Sequence, residues 1–214
     1  MSSSHARGRL LLLGAGGHGR VVADIANAAG WSDVAFLDDR WPLLQQNLAW
    51  PVIGVFETFA GSGYRHQAAL VTIGDNPSRL RLLRWLQDMD AQIPVLTHPS
   101  AVVSRHATLD AGSVVMPNAV VNAGAVLGEG VIVNTGATVD HDCRLADGVH
   151  VSPGAHLAGG VVVGEASWIG IGAVIRENVR IGAGVMIGAG AAVISHIPDQ
   201  QIAAGVPARA RMRN

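Results

Sequence analysis

Lysine is missing altogether: all 15 basic residues in the 214-residue chain are arginines. That removes any chemistry needing an ε-amine, from Schiff-base catalysis to the lysine-dependent phosphate loop. The single cysteine, Cys143, precludes an internal disulfide and a cysteine-rich zinc site. Charged residues are few, 14% of the chain, and the formal net charge is -1, so no basic field invites nucleic acid or an anionic membrane. No stretch of about 18 apolar residues occurs, and the apolar run near the start stops after four leucines at Gly14. These absences lead to the expectation of a soluble, cytoplasmic protein. What is abundant is glycine, 27 residues, within a 49% hydrophobic composition. Such a chain packs small residues closely and is long enough for one or two domains.

Residues 8 to about 98 read as alternating strands and helices. Arg9–Leu13 is a buried strand, His18–Ala29 a helix, Val34–Leu37 and Ala69–Ile73 further strands. Asn76 is placed to cap a second helix with Pro77 at its first position, and Leu82, Leu83, Leu86 and Met89 give it an apolar stripe. Ile93–Leu96 reads as a last strand. The order describes a short Rossmann-like α/β unit with a parallel sheet, residues 1–98.

From Ala101 the rhythm changes to six. Hexads such as AVLGEG, VIVNTG, ATVDHD and CRLADG follow one another to His196, sixteen in all. The third place is Val, Leu or Ile in every one, from Val103 to Val193, and the first is always Ala, Ser, Cys or Val. Neither the two-residue period of a strand nor the 3.6 of a helix produces a strict six. A short fixed period of this type marks a β-helix, each aliphatic stacking on the one below. Residues 99–214 therefore form a second domain.

Two places in this frame carry chemistry. Gly14, Gly16 and Gly19 follow a strand and open a helix, a spacing that brings backbone N–H groups to a phosphate at a helix N-terminus. Asp38 and Asp39 end the next strand, where a ribose-binding carboxylate would sit, and Gly74 borders the same crevice. With fewer than 100 residues in the unit, a mononucleotide suits it better than a dinucleotide. In the hexads, VDHDC sets His141 between Asp140 and Asp142 at its fifth place, and His150 takes a second place two hexads on. Neither histidine lies on the inward third place. Imidazole, with an unperturbed pKa of about 6.5, suits proton removal near neutral pH. A carboxylate beside it raises its basicity and fixes its tautomer.

GAGGHG and FLDD in an α/β unit, joined to hexads carrying HDC and ending in GVPAR, resemble the NeuD-type sialic-acid O-acetyltransferase family of hexapeptide-repeat acyltransferases. The likeness covers nearly the whole chain and is strongest to the nucleotide-amino-sugar N-acetyltransferases of the bacillosamine and perosamine pathways. It implies a left-handed parallel β-helix of triangular section, three hexads to a coil. It implies a homotrimer with active sites in the grooves between prisms. It also implies acetyl-CoA as co-substrate, a UDP- or GDP-linked 4-amino-4,6-dideoxy sugar as acceptor, and no metal. By matching motifs, His141 would be the general base and Asp142 its partner. Gly16, Gly17 and His18 would line the diphosphate, Asp38 and Asp39 the nucleoside, and Gly74 the same pocket. Asn134 would orient the nucleophile or His141, or else join an asparagine ladder in the coil. His150, the backbone N–H of Gly159, Ile171 and Arg209 would contact acetyl-CoA, with Arg211 a further phosphate partner. Ala189 stands where the family usually has glycine, which narrows that wall.

Two other readings compete. Sialic-acid O-acetylation uses the same fold and base. A γ-type carbonic anhydrase builds zinc sites on such a prism, and His106 and His141 lie 35 residues apart, near one of its intervals; CRLADG, however, lacks the next histidine, and His156 fits only by breaking the spacing.

Overall fold

The computed structural model describes residues 7–61, 63, 64 and 66–212. The first six residues lie outside the described residues. The chain divides into two compact units, Met1–Pro99 and Ser100–Asn214.

The first unit is built on β1 (Arg7–Leu13), whose Leu10, Leu11, Leu12 and Leu13 are fully buried. A strand apolar on both faces belongs in the middle of a sheet, and β1 pairs in parallel with β2 (Trp31–Leu37) on one side and β5 (Ala68–Val71) on the other. Outside β2 runs a hairpin of β3 (Gln46–Asn47) and β4 (Trp50–Gly54), giving the order β3-β4-β2-β1-β5. Helix α1 (Gly17–Ala28) buries Val22, Ile25 and Ala26, and α2 (Asn76–Asp88) buries Leu80, Leu83 and Leu86.

Three expectations are corrected in this unit. The cap of α2 is Asp75, whose carboxylate accepts the Ser78 N–H at 3.0 Å, so Asn76 is the first helical residue. The stripe of α2 is rotated from the expected one, with Leu82 and Met89 only half-buried and Leu80 inside. Ile93–Leu96 is not a strand; Gln92 bridges Ala68, and the regular piece is Leu96–Thr97.

Three glycines of the first loop do different work. Gly14 adopts φ 116° and packs against Thr72 and Ile73, a close turn that a side chain would obstruct. A Cβ on Gly19 would overlap the Gly14 carbonyl oxygen, so only glycine lets α1 approach β1 this closely. Gly19→Ala is expected to cost about 1–3 kcal/mol of stability through overpacking, read by chemical denaturation. A Cβ on Gly16 would meet nothing within 4 Å, so packing does not explain that glycine.

The second unit is a left-handed parallel β-helix. Sixteen two-residue rungs, Val102–Val103 to Ala192–Val193, pair in parallel at a fixed offset of 18 residues, three hexads to a turn. The first face carries Val102–Val103, Val120–Val121, Thr138–Val139, His156–Leu157, Val174–Ile175 and Ala192–Val193. The second runs from Thr108–Leu109 to Arg180–Ile181. The third includes Val114–Val115 to Met186–Ile187 and is continued by Gln201–Ala204 and the antiparallel Arg209–Met212. Both the first and third places of the hexads turn inward: from Val115 to Val193 every third-place aliphatic is at most 3% exposed, and Ala119, Ala137, Cys143 and Ala155 are fully buried beside them. The small first-place residues thus belong to the core as well as to the corners. The sixth place of most hexads adopts left-handed φ. Glycine fills it at Gly124, Gly136, Gly148 and Gly160, but at φ 59° it is Asp142.

Candidate active site

The edge between the first and second faces holds His141 and Asp142. His141 Nδ1 lies 2.9 Å from Asp142 Oδ2. With the carboxylate accepting, Nδ1 carries the proton and Nε2 keeps its lone pair. Asp140 takes another part: its Oδ1 accepts the backbone N–H of His141 at 2.7 Å and the amide of Asn122 at 2.8 Å. The imidazole pKa is raised, first by the hydrogen bond it donates to Asp142 and then by the charge of Asp140. The ring lies over the next coil at Gly159, where a Cβ would overlap its Cε1 and Nε2. Gly159 therefore forms the floor beneath the imidazole. Its own N–H, beside the ring, meets no acceptor among the described residues, while its carbonyl takes Asn178 N–H at 3.0 Å.

Asp142 holds a backbone conformation that glycine adopts more easily, with its Oδ1 over Gly124. Its presence in that corner is a local cost offset by the orientation of His141. Asp142→Gly is accordingly expected to keep or slightly raise the melting temperature while lowering kcat/KM about 10- to 100-fold, a part of what the base itself supplies; calorimetry and steady-state rates check both halves.

The other expected prism residues gather along the edge between the third and first faces. Asn134 donates toward His150 Nε2 at 3.0 Å and accepts Thr135 N–H at 2.8 Å. Within one chain it touches neither His141 nor a stacked asparagine, so the ladder expectation is corrected: the coil above places Ser152 over it. His150 is 5% exposed, its ring 4.0 Å from that of Trp168. Ile171 and Ala189 are both exposed and stack one coil apart, the Gly190 N–H donating to Ile171 O at 2.8 Å. Arg209 is exposed at the start of the terminal antiparallel strand. In one chain, then, His141, Asp142 and Gly159 occupy one edge of the prism, and Asn134, His150, Ile171 and Ala189 the next. His106 pairs with Arg105 and His156 with Thr138, at 3.1 and 2.9 Å. Among the described residues no three His, Cys, Asp or Glu are grouped to hold a metal ion.

The first unit has a crevice of about 320 Å³ at the carboxyl edge of its sheet. Gly14, Gly16, Gly17 and His18 supply one wall, Thr72, Ile73 and Gly74 a second, and Asp38, Arg40 and Phe56 the third. Cβ atoms on Gly16, Gly17 or Gly74 would point into open space here. Helix α1 begins with no side-chain cap and no acidic residue in its first turn, so its positive end faces the crevice. Burial pushes the His18 pKa down to about 4, helped by the charge of Arg79, so the ring is neutral at pH 7.

Asp38 departs from expectation. Oδ1 accepts the N–H and Nε of Arg40 at 3.0 and 2.7 Å, while Oδ2 accepts Arg40 Nη2 at 2.9 Å and Ala15 N–H at 2.7 Å. Four donors fill the roughly four lone-pair sites of a carboxylate, leaving no room for a ribose hydroxyl. Arg40 holds the Asp38 pKa down to about 2. Asp39 stays exposed and accepts Phe56 N–H at 3.2 Å. Three supporting residues escape sequence reasoning. Asn47 donates to Ala15 and Gly16 carbonyls, and Arg40 caps Ala15 O at 3.1 Å. Arg79, 1% exposed, binds the carbonyls of Ile73 and Gly74 and the Asn76 side chain. The one available signal is phase: Arg79 stands at i, with Leu83 and Leu86 at i+4 and i+7 of a buried stripe.

Residues 9–86 match the model of the PglD N-terminal domain, and residues 160–195 that of the bacterial transferase hexapeptide, six repeats. The acetyltransferase domain of PglB from Neisseria gonorrhoeae FA1090, solved in complex with acetyl coenzyme A, is 45% identical over 95% of this chain and 98% of its own, with a TM-score of 0.90. The H141N mutant of perosamine N-acetyltransferase from Caulobacter crescentus, solved with CoA and GDP-perosamine, is 38% identical over 99% of this chain and 100% of its own, with a TM-score of 0.91. UDP-N-acetylbacillosamine N-acetyltransferase of Bacillus subtilis (strain 168) is 38% identical over 109 residues, 49% of this chain; the match spans 50% of that relative's length. No helix among the described residues is long and apolar enough to cross a membrane.

Proposed function

The chain belongs to the hexapeptide-repeat sugar N-acetyltransferases that carry a PglD-type N-terminal domain, and on that premise we propose that it moves the acetyl group of acetyl-CoA to the amine of a nucleotide-linked 4-amino-4,6-dideoxy sugar. One observation carries the reading: an imidazole with Nδ1 tied to Asp142 and Nε2 directed away from it rests on a glycine whose N–H is open. A base and an oxyanion donor side by side are what acyl transfer to an amine requires.

The amine nitrogen attacks the thioester carbonyl carbon as His141 Nε2 removes its proton. Asp142 stabilises the imidazolium that forms. The Gly159 N–H meets the negative charge that develops on the carbonyl oxygen. When the C–S bond breaks, the imidazolium returns its proton to the departing thiolate, leaving an amide and free CoA. No covalent enzyme intermediate is needed, and Cys143, buried with a raised pKa from desolvation, takes no part. The crevice of the first unit would hold the nucleoside diphosphate, phosphates at the N-terminus of α1, His18 donating as a neutral ring.

Ile171, Ala189, His150 and Arg209 would receive CoA, the exposed apolar corner against the pantetheine and the guanidinium against a phosphate. Because these lie one prism edge away from His141, the complete site is a groove between neighbouring copies, in a homotrimer. With acetyl-CoA and a nucleotide sugar as its substrates, we assign the reaction to the cytoplasm. The test is thiol release from acetyl-CoA with a panel of UDP-, GDP- and dTDP-linked 4-amino-4,6-dideoxy sugars. Turnover with at least one, dependent on the free amine, is expected; release independent of every acceptor would refute the reading.

A further inference from the structure

The carboxylate on the other side of the base has an oxygen with no task in the reaction so far. Asp140 follows the inward Val139 on the first face and so projects outward, with Asn122 in the coil below and Ala158 in the coil above. Ala158 immediately precedes Gly159, so Asp140 flanks the corner where the His141 ring lies over that glycine. Its Oδ1 is engaged twice, by the His141 N–H at 2.7 Å and by the Asn122 amide at 2.8 Å. Its Oδ2 accepts nothing among the described residues. Asp142, by contrast, commits Oδ2 to the imidazole.

Those two ties fix the carboxylate in one orientation. The His141 N–H first and the Asn122 amide second also hold its pKa below the ordinary carboxylate value. At neutral pH Asp140 is therefore an acceptor only. A primary amine about to attack has one lone pair and two N–H bonds. The lone pair must meet the carbonyl carbon, and alignment is best when both N–H groups are held by acceptors that leave it free. His141 Nε2 is one such acceptor.

We infer that Asp140 Oδ2 is the other, and that it selects an amine over a hydroxyl. This rests on the acetyl-transfer reading above and sharpens it. As the N–C bond forms and the C–S bond breaks, the proton on the His141 side passes to Nε2 and on to the thiolate. The proton on the Asp140 side stays on nitrogen and becomes the N–H of the product amide. An acceptor that arrives as an ammonium pairs with the same carboxylate and gives its extra proton to solvent before attack. A hydroxyl has a single O–H, which His141 takes, and would turn an oxygen lone pair toward Asp140 Oδ2.

Steady-state kinetics on the whole chain test this with UDP- and GDP-linked 4-amino-4,6-dideoxy sugars and their 6-deoxy counterparts bearing a hydroxyl at C4. Each counterpart is assayed as substrate and as competitive inhibitor. Asp140→Asn is nearly isosteric: its Oδ1 keeps both hydrogen bonds, and its amide puts N–H groups where Oδ2 stood. Losing the charge lowers the His141 pKa as well, so rates are compared on the plateau above the acid limb. The kcat/KM for the amine is expected to fall about 10- to 100-fold, the range of a hydrogen bond to a charged group. KM for acetyl-CoA should stay within about twofold, and the hydroxyl counterpart should inhibit as well as before or better. Asn122→Ala, which keeps the carboxylate but removes one tie, should give a smaller fall in the same direction. Amine turnover unchanged in both variants, or a hydroxyl counterpart weakened as much as the amine in either, would overturn the inference. Wild-type protein that acetylated none of the amines would instead remove the acetyl-transfer reading itself.

Discussion

His141→Asn is expected to lower kcat by about 10²–10⁴-fold, the contribution of a positioned general base, while the melting temperature stays within a few degrees. The separation follows from where the ring sits. The residue is exposed at a prism corner, its side chain is 64% accessible, and the core rungs on either side, Val139 and Leu145, are unaffected by its replacement. Asparagine keeps a polar group of moderate size over Gly159 but has no nitrogen lone pair to take a proton. Substrate binding should therefore survive, and KM for acetyl-CoA should change far less than kcat. Wild-type turnover in this variant would remove the base from the mechanism.

The second large effect comes from a residue with no functional group. Gly159→Ala adds one methyl where Cε1 and Nε2 of His141 now lie. The backbone of Gly159 is outside the left-handed region, so alanine costs no strain there, and the N–H remains in place. The only thing displaced is the imidazole. A shift of about 1 Å in a reacting group can cost about 10²-fold in rate, and that is the expected fall in kcat, with the fold intact by circular dichroism. Unchanged turnover would show that the ring does not work from this position. Compared with His141→Asn, this variant keeps every titratable group and alters geometry alone.

The prism could be read from sequence because its defining feature is a local rhythm: each hexad carries its own inward Val, Leu or Ile, and the pairing offset of 18 follows from three hexads to a turn. His141 and Asp142 were legible for the same reason, since neighbours in sequence at one corner remain neighbours in space. The first loop was legible in its glycines. What escaped depends on contacts between distant segments. Nothing in FLDDR says that Arg40 folds back to saturate Asp38, since that requires Ala15, 23 residues earlier, to complete the cluster. Arg79 looks like a surface residue in NPSR until the phase of α2 turns it inward. The β3–β4 hairpin was missed because it turns through Leu48 at φ 52°, without the Asn-Gly or Asp-Gly that announces such turns, and carries Pro51 in a strand. The contact of Asn134 with His150 was not legible because the two are 16 residues apart, on adjoining rungs.

The most direct test compares two titrations of one ring. Asp142 and Asp140 raise the His141 pKa above its ordinary 6.5, and protonation removes the lone pair that the reaction needs, so kcat/KM must fall as pH drops through that raised value. The pKa of His141 from NMR and the acid limb of the kcat/KM profile should coincide, and in Asp142→Asn, which removes the largest cause of the shift, both should move down together. An acid limb that stayed in place while the NMR titration moved, or a flat profile from pH 5.5 to 8 with chemistry limiting, would contradict His141 as the group that takes the proton.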